Sequence, residues 1–191
     1  NGVDLHSYQP TVDDVLEIST CDIFIYVGGE SDEWVEDALK ESVNKDMIVI
    51  NLLDELGSSV KEEEILEGMQ EEEEGKDDKG EEETEYDEHV WLSLKNASIL
   101  VESISDAIIK IDKENEDSYK KNRDKYIEEI NALDKEYEDV FKDGDIKTLL
   151  FGDRFPFRYL VEDYGLDYYA AFVGCSAETE ASFETITFLS K

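Results

Sequence analysis

Ile23-Phe24-Ile25-Tyr26-Val27-Gly28-Gly29, answered by Met47-Ile48-Val49-Ile50, is the stretch that decides the fold. Each is a short, near-continuous apolar run, the mark of a strand covered on both faces as in a parallel sheet. Between them Ser31 or Asp32 starts a helix that carries Trp34, Val35, Ala38 and Leu39 on one side. Strand, helix and strand at this spacing form a βαβ unit, with the right-handed crossover that strand twist imposes.

Working outward, Thr11-Val12-Asp13-Asp14 reads as a helix start, with Thr11 as cap, Asp14 at the third helical position, and Val12, Val15 and Leu16 as an apolar face. Cys21 directly precedes the first strand and reads as a small buried thiol. From Glu62 to Glu88 the chain holds sixteen acidic residues against Lys76 and Lys79, interrupted by Gly68, Gly75 and Gly80. Like charges repel and little apolar surface is available there, so a mobile loop is expected from about Glu71 to Glu85.

Beyond it, Leu94, Ala97, Leu100, Val101, Ile104, Ile108 and Ile111 recur at helical spacing behind a Ser93 cap. A second helix follows Asn115, with a packing stripe of Tyr119, Tyr126, Ile130, Leu133, Tyr137, Val140 and Phe141, and ends at Gly144. Ile146 to Phe151 then reads as a strand, Phe155 to Tyr164 as a helix, Tyr168 to Val173 as a strand and Thr179 to Leu189 as a last helix. The pattern is α/β on both sides of a long helical middle.

The chain has 191 residues, a net charge of −34 and a sequence pI of about 4.1. Such a field repels nucleic acid and anionic membranes and concentrates cations, without identifying which cation. Hydrophobic content of 40% is enough for a packed core and argues against wholesale disorder. No apolar run reaches the length of a membrane span, and Asn1 opens no signal-peptide pattern. The chain begins inside a motif, so a trimmed export segment is expected. Two cysteines, Cys21 and Cys175, permit one disulfide without showing one.

The only two histidines, His6 and His89, lie far apart and each leads into an expected helix. Imidazole is the commonest transition-metal ligand, and distant histidines can converge in a fold. Their surroundings are informative. His6 lies in Gly2-Val3-Asp4-Leu5-His6-Ser7-Tyr8-Gln9-Pro10-Thr11, and His89 in Asp87-Glu88-His89-Val90-Trp91-Leu92-Ser93. Together with Leu149-Leu150-Phe151-Gly152-Asp153-Arg154 and Gly174-Cys175-Ser176-Ala177-Glu178-Thr179-Glu180, these blocks resemble the zinc/manganese-type, adhesin-like solute-binding lipoproteins of bacterial ABC transporters. The four blocks come in that family's order and span nearly the whole chain.

The resemblance implies two lobes of mainly parallel sheet flanked by helices, joined by a long backbone helix, with metal in the cleft between them. Residues 1–112 would form the first lobe, with an acidic insertion at about 62–88, 113–145 the connecting helix, and 146–191 a partial second lobe. The family's first strand and most of its second lobe are expected to lie outside this stretch, and with them its fourth ligand, a carboxylate. In that family the insertion is often histidine-rich; here it holds no histidine before His89, and carboxylates alone bind transition metals weakly.

By motif, His6 and His89 match the family's two first-lobe ligands, and the Asp87-Glu88 pair is placed to fix an imidazole tautomer. For the third ligand, counting back from Tyr164-Gly165 lands on Arg154, a permanent cation. Asp153, one residue earlier, is the nearby oxygen donor, and it also reads as a helix cap or a partner for Arg154 or Arg158. Glu178 and Glu180 match an acidic pair near the family's cleft, and they also suit a helix start, where the dipole favours acid.

The expected ligand set is therefore His6, His89, Asp153 and Glu178, for zinc or manganese as transported ion and with no organic cofactor. The implied role is extracytoplasmic capture of a divalent transition metal, in the periplasm or lipid-anchored at the outer face of the cell membrane, for delivery to an ABC transporter membrane permease. Two other readings compete. A metal-dependent hydrolase would also use two histidines and an aspartate, although the chain has no His-Glu-x-x-His, Gly-x-Ser-x-Gly or P-loop. An acidic calcium-buffering or interaction protein would be built on 62–88, although no EF-hand loop can be threaded: around Asp139 to Asp145 the spacing fails at Phe141.

Excising Glu71 to Thr84 is expected to leave the thermal midpoint little changed, with a modest gain at low salt as repulsion is relieved. Melting curves at low and high ionic strength check this; a large loss at both would mean that the segment packs on the body.

Overall fold

The computed structural model describes His6 and residues 8–70, 85–176 and 180–191. In chain order the elements are α1 (Val12–Thr20), β1 (Ile23–Tyr26), α2 (Trp34–Lys40), β2 (Ile48–Asn51), α3 (Leu52–Leu56), α4 (Leu94–Ile111), α5 (Glu116–Asp143), β3 (Thr148–Phe155), α6 (Arg158–Tyr164), β4 (Asp167–Val173) and α7 (Phe183–Leu189). β1 pairs with β2 in parallel, Ile23 opposite Ile48 through Tyr26 opposite Asn51. β3 pairs with β4 in parallel, with a register shift between Phe151 and Arg154. The architecture is mixed α/β, two small parallel sheets with long helices between them.

The expected caps form. Thr11 and Asp14 make a reciprocal capping box on α1, and the Ser93 hydroxyl accepts the Asn96 N–H at the start of α4. α5 runs its 28 residues and stops at Gly144. Several boundaries differ from expectation. β3 continues to Phe155, because the residue before Pro156 is pushed out of the helical region and α6 starts only after it. α7 starts at Phe183, where the Ser182 side chain accepts the Thr185 N–H.

The apolar faces also differ. Val12 and Leu16 on α1 are 86% and 62% exposed, and Ile25 and Val49 are 40% and 41% exposed. The first sheet has two strands among the described residues, so its apolar runs are covered less completely than those of a wide parallel sheet. Within the α5 stripe Ile130 is buried, while Tyr126, Leu133 and Val140 stay exposed. Tyr137 and Phe141 instead pack their rings on Tyr164 of α6.

Two apolar clusters hold the chain together. One gathers Met69, Phe155, Val161, Leu166, Tyr168 and Ala170, with the Phe155 and Tyr168 rings stacked 3.7 Å apart. The other joins Leu53 and Leu56 of α3, Val90, Leu100 of α4 and Tyr159 of α6. Tyr159 thus carries the second half of the chain into the core of the first. Its hydroxyl donates to the Asp87 carbonyl at 2.7 Å and accepts the Lys61 N–H at 3.2 Å. A second tie runs from the Ser93 hydroxyl to the Asp163 carboxylate at 2.6 Å.

The expected loop from Glu71 to Thr84 lies outside the described residues, but both of its flanks are packed. Glu62 bridges Tyr86 in antiparallel fashion, the Asp87 N–H donates to the Lys61 carbonyl, and the Gln70 N–H donates to the Ala171 carbonyl. Cys21 and Cys175 are not joined in a disulfide, and both are half-buried. The Cys21 thiol donates to the Ile18 carbonyl.

Burial pushes the Tyr159 hydroxyl up to about 12 from an ordinary value of 10.0. The fold therefore favours the neutral phenol: stability is intact below pH 10.0 and drains as pH rises toward about 12. Tyr168, also pushed up to about 12 by burial, shares that slope. Tyr159→Phe is expected to flatten the alkaline fall and to cost about 1–3 kcal/mol at neutral pH, since it leaves the Lys61 N–H and the Asp87 carbonyl without their partner. Urea melts from pH 7 to pH 12 measure both; an unchanged alkaline slope would assign the fall elsewhere.

Candidate metal centre

His6 and His89 meet, their ring centroids 5.2 Å apart. The acidic pair preceding His89 is divided between them. Asp87 turns back on its own segment: its Oδ1 accepts the His89 backbone N–H at 2.8 Å and lies 3.1 Å from His89 Nδ1. Glu88 reaches across the chain, accepting the Ser31 N–H at 2.9 Å while its other oxygen lies 3.6 Å from His6 Nδ1. The Ser31 hydroxyl lies 3.1 Å from the same His6 nitrogen. Both rings thus have oxygen partners at Nδ1, the kind of contact that orients a metal-ligating imidazole.

This arrangement is buried at its base. Asp87, Glu88 and His89 are 2%, 5% and 7% exposed, whereas His6 is half-buried. Carboxylates so deeply buried need partners, and the backbone N–H groups and imidazoles supply them. Two glycines allow the close approach. A Cβ at Gly174 would stand 2.9 Å from His89 Cε1, and Gly29, at φ 82°, passes where a Cβ would meet Glu88 Oε1 at 2.5 Å. A cavity of about 720 Å³ opens on both rings and one of about 740 Å³ on His6. The first is lined by His6, His89, Trp34 and Trp91, the second by His6, Glu63, Glu88 and Cys175.

The loops that build the centre leave the carboxyl ends of parallel strands. Ser31 follows β1 through Val27-Gly28-Gly29, and Gly174-Cys175 follows β4. Crevices outside the carboxyl ends of strands are where open α/β sheets bind ligands. Among the described residues, His6, His89 and Cys175 form a group of three metal-ligating side chains with donor atoms within 4.8 Å of one another.

Among the described residues, the other expected ligand stands elsewhere. Asp153 is exposed at the register shift of β3, where its carboxylate accepts the Arg154 N–H at 2.8 Å. Glu178 lies outside the described residues, and Glu180 is exposed. Cys175 is the residue that sequence reasoning passed over, weighing it only for a disulfide. The signal available was its position inside the fourth block, next to Gly174. Burial first, then the neighbouring Glu63 carboxylate, pushes the Cys175 thiol well up, and Glu63 is itself pushed up by burial.

Known proteins are similar to this chain in sequence and in fold. The family model described as zinc-uptake complex component A, periplasmic, matches residues 1–191. The zinc-binding lipoprotein AdcA of Streptococcus pneumoniae serotype 4 is 33% identical over 183 residues, which cover 95% of this chain and 34% of that protein. The solved metal-dependent lipoprotein YcdH from Bacillus subtilis superposes with a TM-score of 0.73 at 28% identity, over 98% of this chain and 62% of that one. The Zn(II)-bound ZnuA-like domain of Streptococcus pneumoniae AdcA gives a TM-score of 0.69 at 27% identity, over 98% and 61%. The chain therefore spans about a third of the length of the first curated relatives that it matches.

Asp87→Ala is expected to lower zinc affinity by about 10–100-fold, the usual effect of removing a partner that orients a ligating histidine. Competition against a chromophoric chelator measures it. An affinity unchanged within twofold would mean that His89 is oriented by packing alone.

Proposed function

The chain belongs to the periplasmic zinc-uptake complex component A family, and on that premise we propose that it captures a divalent transition metal, zinc before manganese, outside the cytoplasm. The captured ion is handed to the membrane permease of an ABC transporter. The metal is cargo, held by His6 and His89 and given up again; no group in the proposal performs bond chemistry on a substrate. One observation carries the reading: two histidines from distant segments stand with ring centroids 5.2 Å apart, each engaged at Nδ1 by an oxygen partner.

The same proposal divides the chain into residues 1–112, 113–145 and 146–191, with α5 as the rigid connector between two lobes. In support, β1 and β2 form one parallel pair, β3 and β4 another, and α5 lies between them in sequence. The centre then sits where loops from both pairs meet, Ser31 from one and Cys175 from the other. The net charge of −34 favours this cargo, raising the local concentration of cations around the molecule.

Unfolding of the full-length protein with and without zinc, beside His6→Ala and His89→Ala variants, tests the proposal. Zinc in hundredfold excess over its dissociation constant is expected to add about 2.7 kcal/mol of stability by mass action. Most of that gain should vanish in either variant, and calcium should give a smaller shift that the variants keep. An equal zinc response in wild type and the double variant would place binding on the acidic surface and refute the histidine site.

A further inference from the structure

We infer that Cys175 is the third protein ligand, so that the ion is held by two imidazoles and a thiolate. This rests on the histidine site proposed above and adds the donor that selects the metal. Three observations carry it. The donor atoms of His6, His89 and Cys175 lie within 4.8 Å of one another. The loop bearing Cys175 is pressed onto the His89 ring at a residue with no side chain, since a Cβ at Gly174 would come within 2.9 Å of His89 Cε1. Both sides of that loop are anchored: the Cys175 N–H reaches the Glu63 carboxylate at 3.4 Å, and the Ser176 N–H donates to the Val173 carbonyl at 3.4 Å.

The distances suit one small ion. Zinc bonds of about 2.0–2.1 Å to nitrogen and about 2.3 Å to sulfur place tetrahedral ligand atoms about 3.3–3.6 Å apart. A triangle of donors within 4.8 Å closes onto such an ion with shifts of about 1 Å, the range of side-chain adjustment without backbone movement. On binding, the S–H bond is replaced by a sulfur–metal bond and the proton leaves to solvent.

The chemistry of the donor set then decides the cargo. Thiolate is a soft ligand that favours zinc over manganese, whereas the carboxylate expected from sequence would accept both. A two-imidazole, one-thiolate centre is a zinc site that discriminates against manganese, and among thiophilic ions it also accepts cobalt and cadmium.

Anaerobic titration of the full-length protein with cobalt(II) tests this directly, because a cobalt–thiolate bond has a charge-transfer band in the near ultraviolet that nitrogen and oxygen donors do not give. The expected result is that this band rises to one equivalent and is bleached by zinc. In Cys175→Ser it should disappear while the weaker visible bands, dependent on His6 and His89, remain. Zinc affinity of that variant should fall by at least about 100-fold, more than loss of an orienting partner costs, and the preference for zinc over manganese should narrow. Far-ultraviolet circular dichroism of the metal-free variant checks that it is folded, and the wild-type band alone decides the point if it is not. Histidine-dependent cobalt binding with no near-ultraviolet band, or a band that survives in Cys175→Ser, overturns the cysteine and leaves the histidines standing. Cobalt binding indifferent to both histidines overturns the proposed site as a whole.

Discussion

The buried carboxylates of Asp87 and Glu88 are the constraint on which the rest of the centre depends. Two adjacent acids almost fully removed from water are costly unless every oxygen finds a donor, and the fold is arranged around meeting that demand. Asp87 faces its own turn and holds His89; Glu88 faces the loop after β1 and holds both Ser31 and His6. The Asp87 carbonyl in turn takes the Tyr159 hydroxyl, so the same dipeptide links α6 to the segment that carries His89. Loss of the Asp87 carboxylate would release His89 but not the Tyr159 tie, which rests on the backbone carbonyl; loss of the Glu88 carboxylate would release His6 and the Ser31 N–H, a tie between segments far apart in the chain.

Close packing completes what the carboxylates begin. Gly29 lets the β1 loop reach Glu88, and Gly174 lets the β4 loop reach His89. These approaches draw the carboxyl ends of two separate parallel pairs to a single point, although no strand of one pair bonds to a strand of the other among the described residues. The proposed ligands are not members of either apolar cluster. The clusters fix the positions of Tyr159, Val90 and Phe155, and through these the loops. A capturing site gains from this division, since its ligands are held from behind while the cavity side stays open.

Electrostatics works on two scales. The excess of acidic residues spreads a field that draws any cation and distinguishes poorly among them. Discrimination has to come from short-range chemistry, which the proposed site would supply through two nitrogens and, in our inference, a sulfur. Burial pushes the Cys175 thiol up from its ordinary value.

The sequence by itself determined the elements and the family. Apolar runs at Ile23–Val27 and Met47–Ile50, the Thr11 and Ser93 caps and the stop at Gly144 are local signals, and each marks a real boundary because caps and strand periods are short-range physics. The motifs around His6 and His89 were equally legible, since they are contiguous. Boundaries failed where a neighbour overrode the pattern, as at Phe155, held in β3 by pairing with β4 and by the following proline. Burial failed where it depended on what covers a face: Val12 and Leu16 are apolar and spaced for a helix face, yet exposed. The third member of the cluster could not be singled out from sequence for the same reason. Asp153 and Cys175 are both near the right motifs, and only the tertiary structure, by turning one outward at a register shift and pressing the other's loop onto His89, decides which of them stands beside the two histidines.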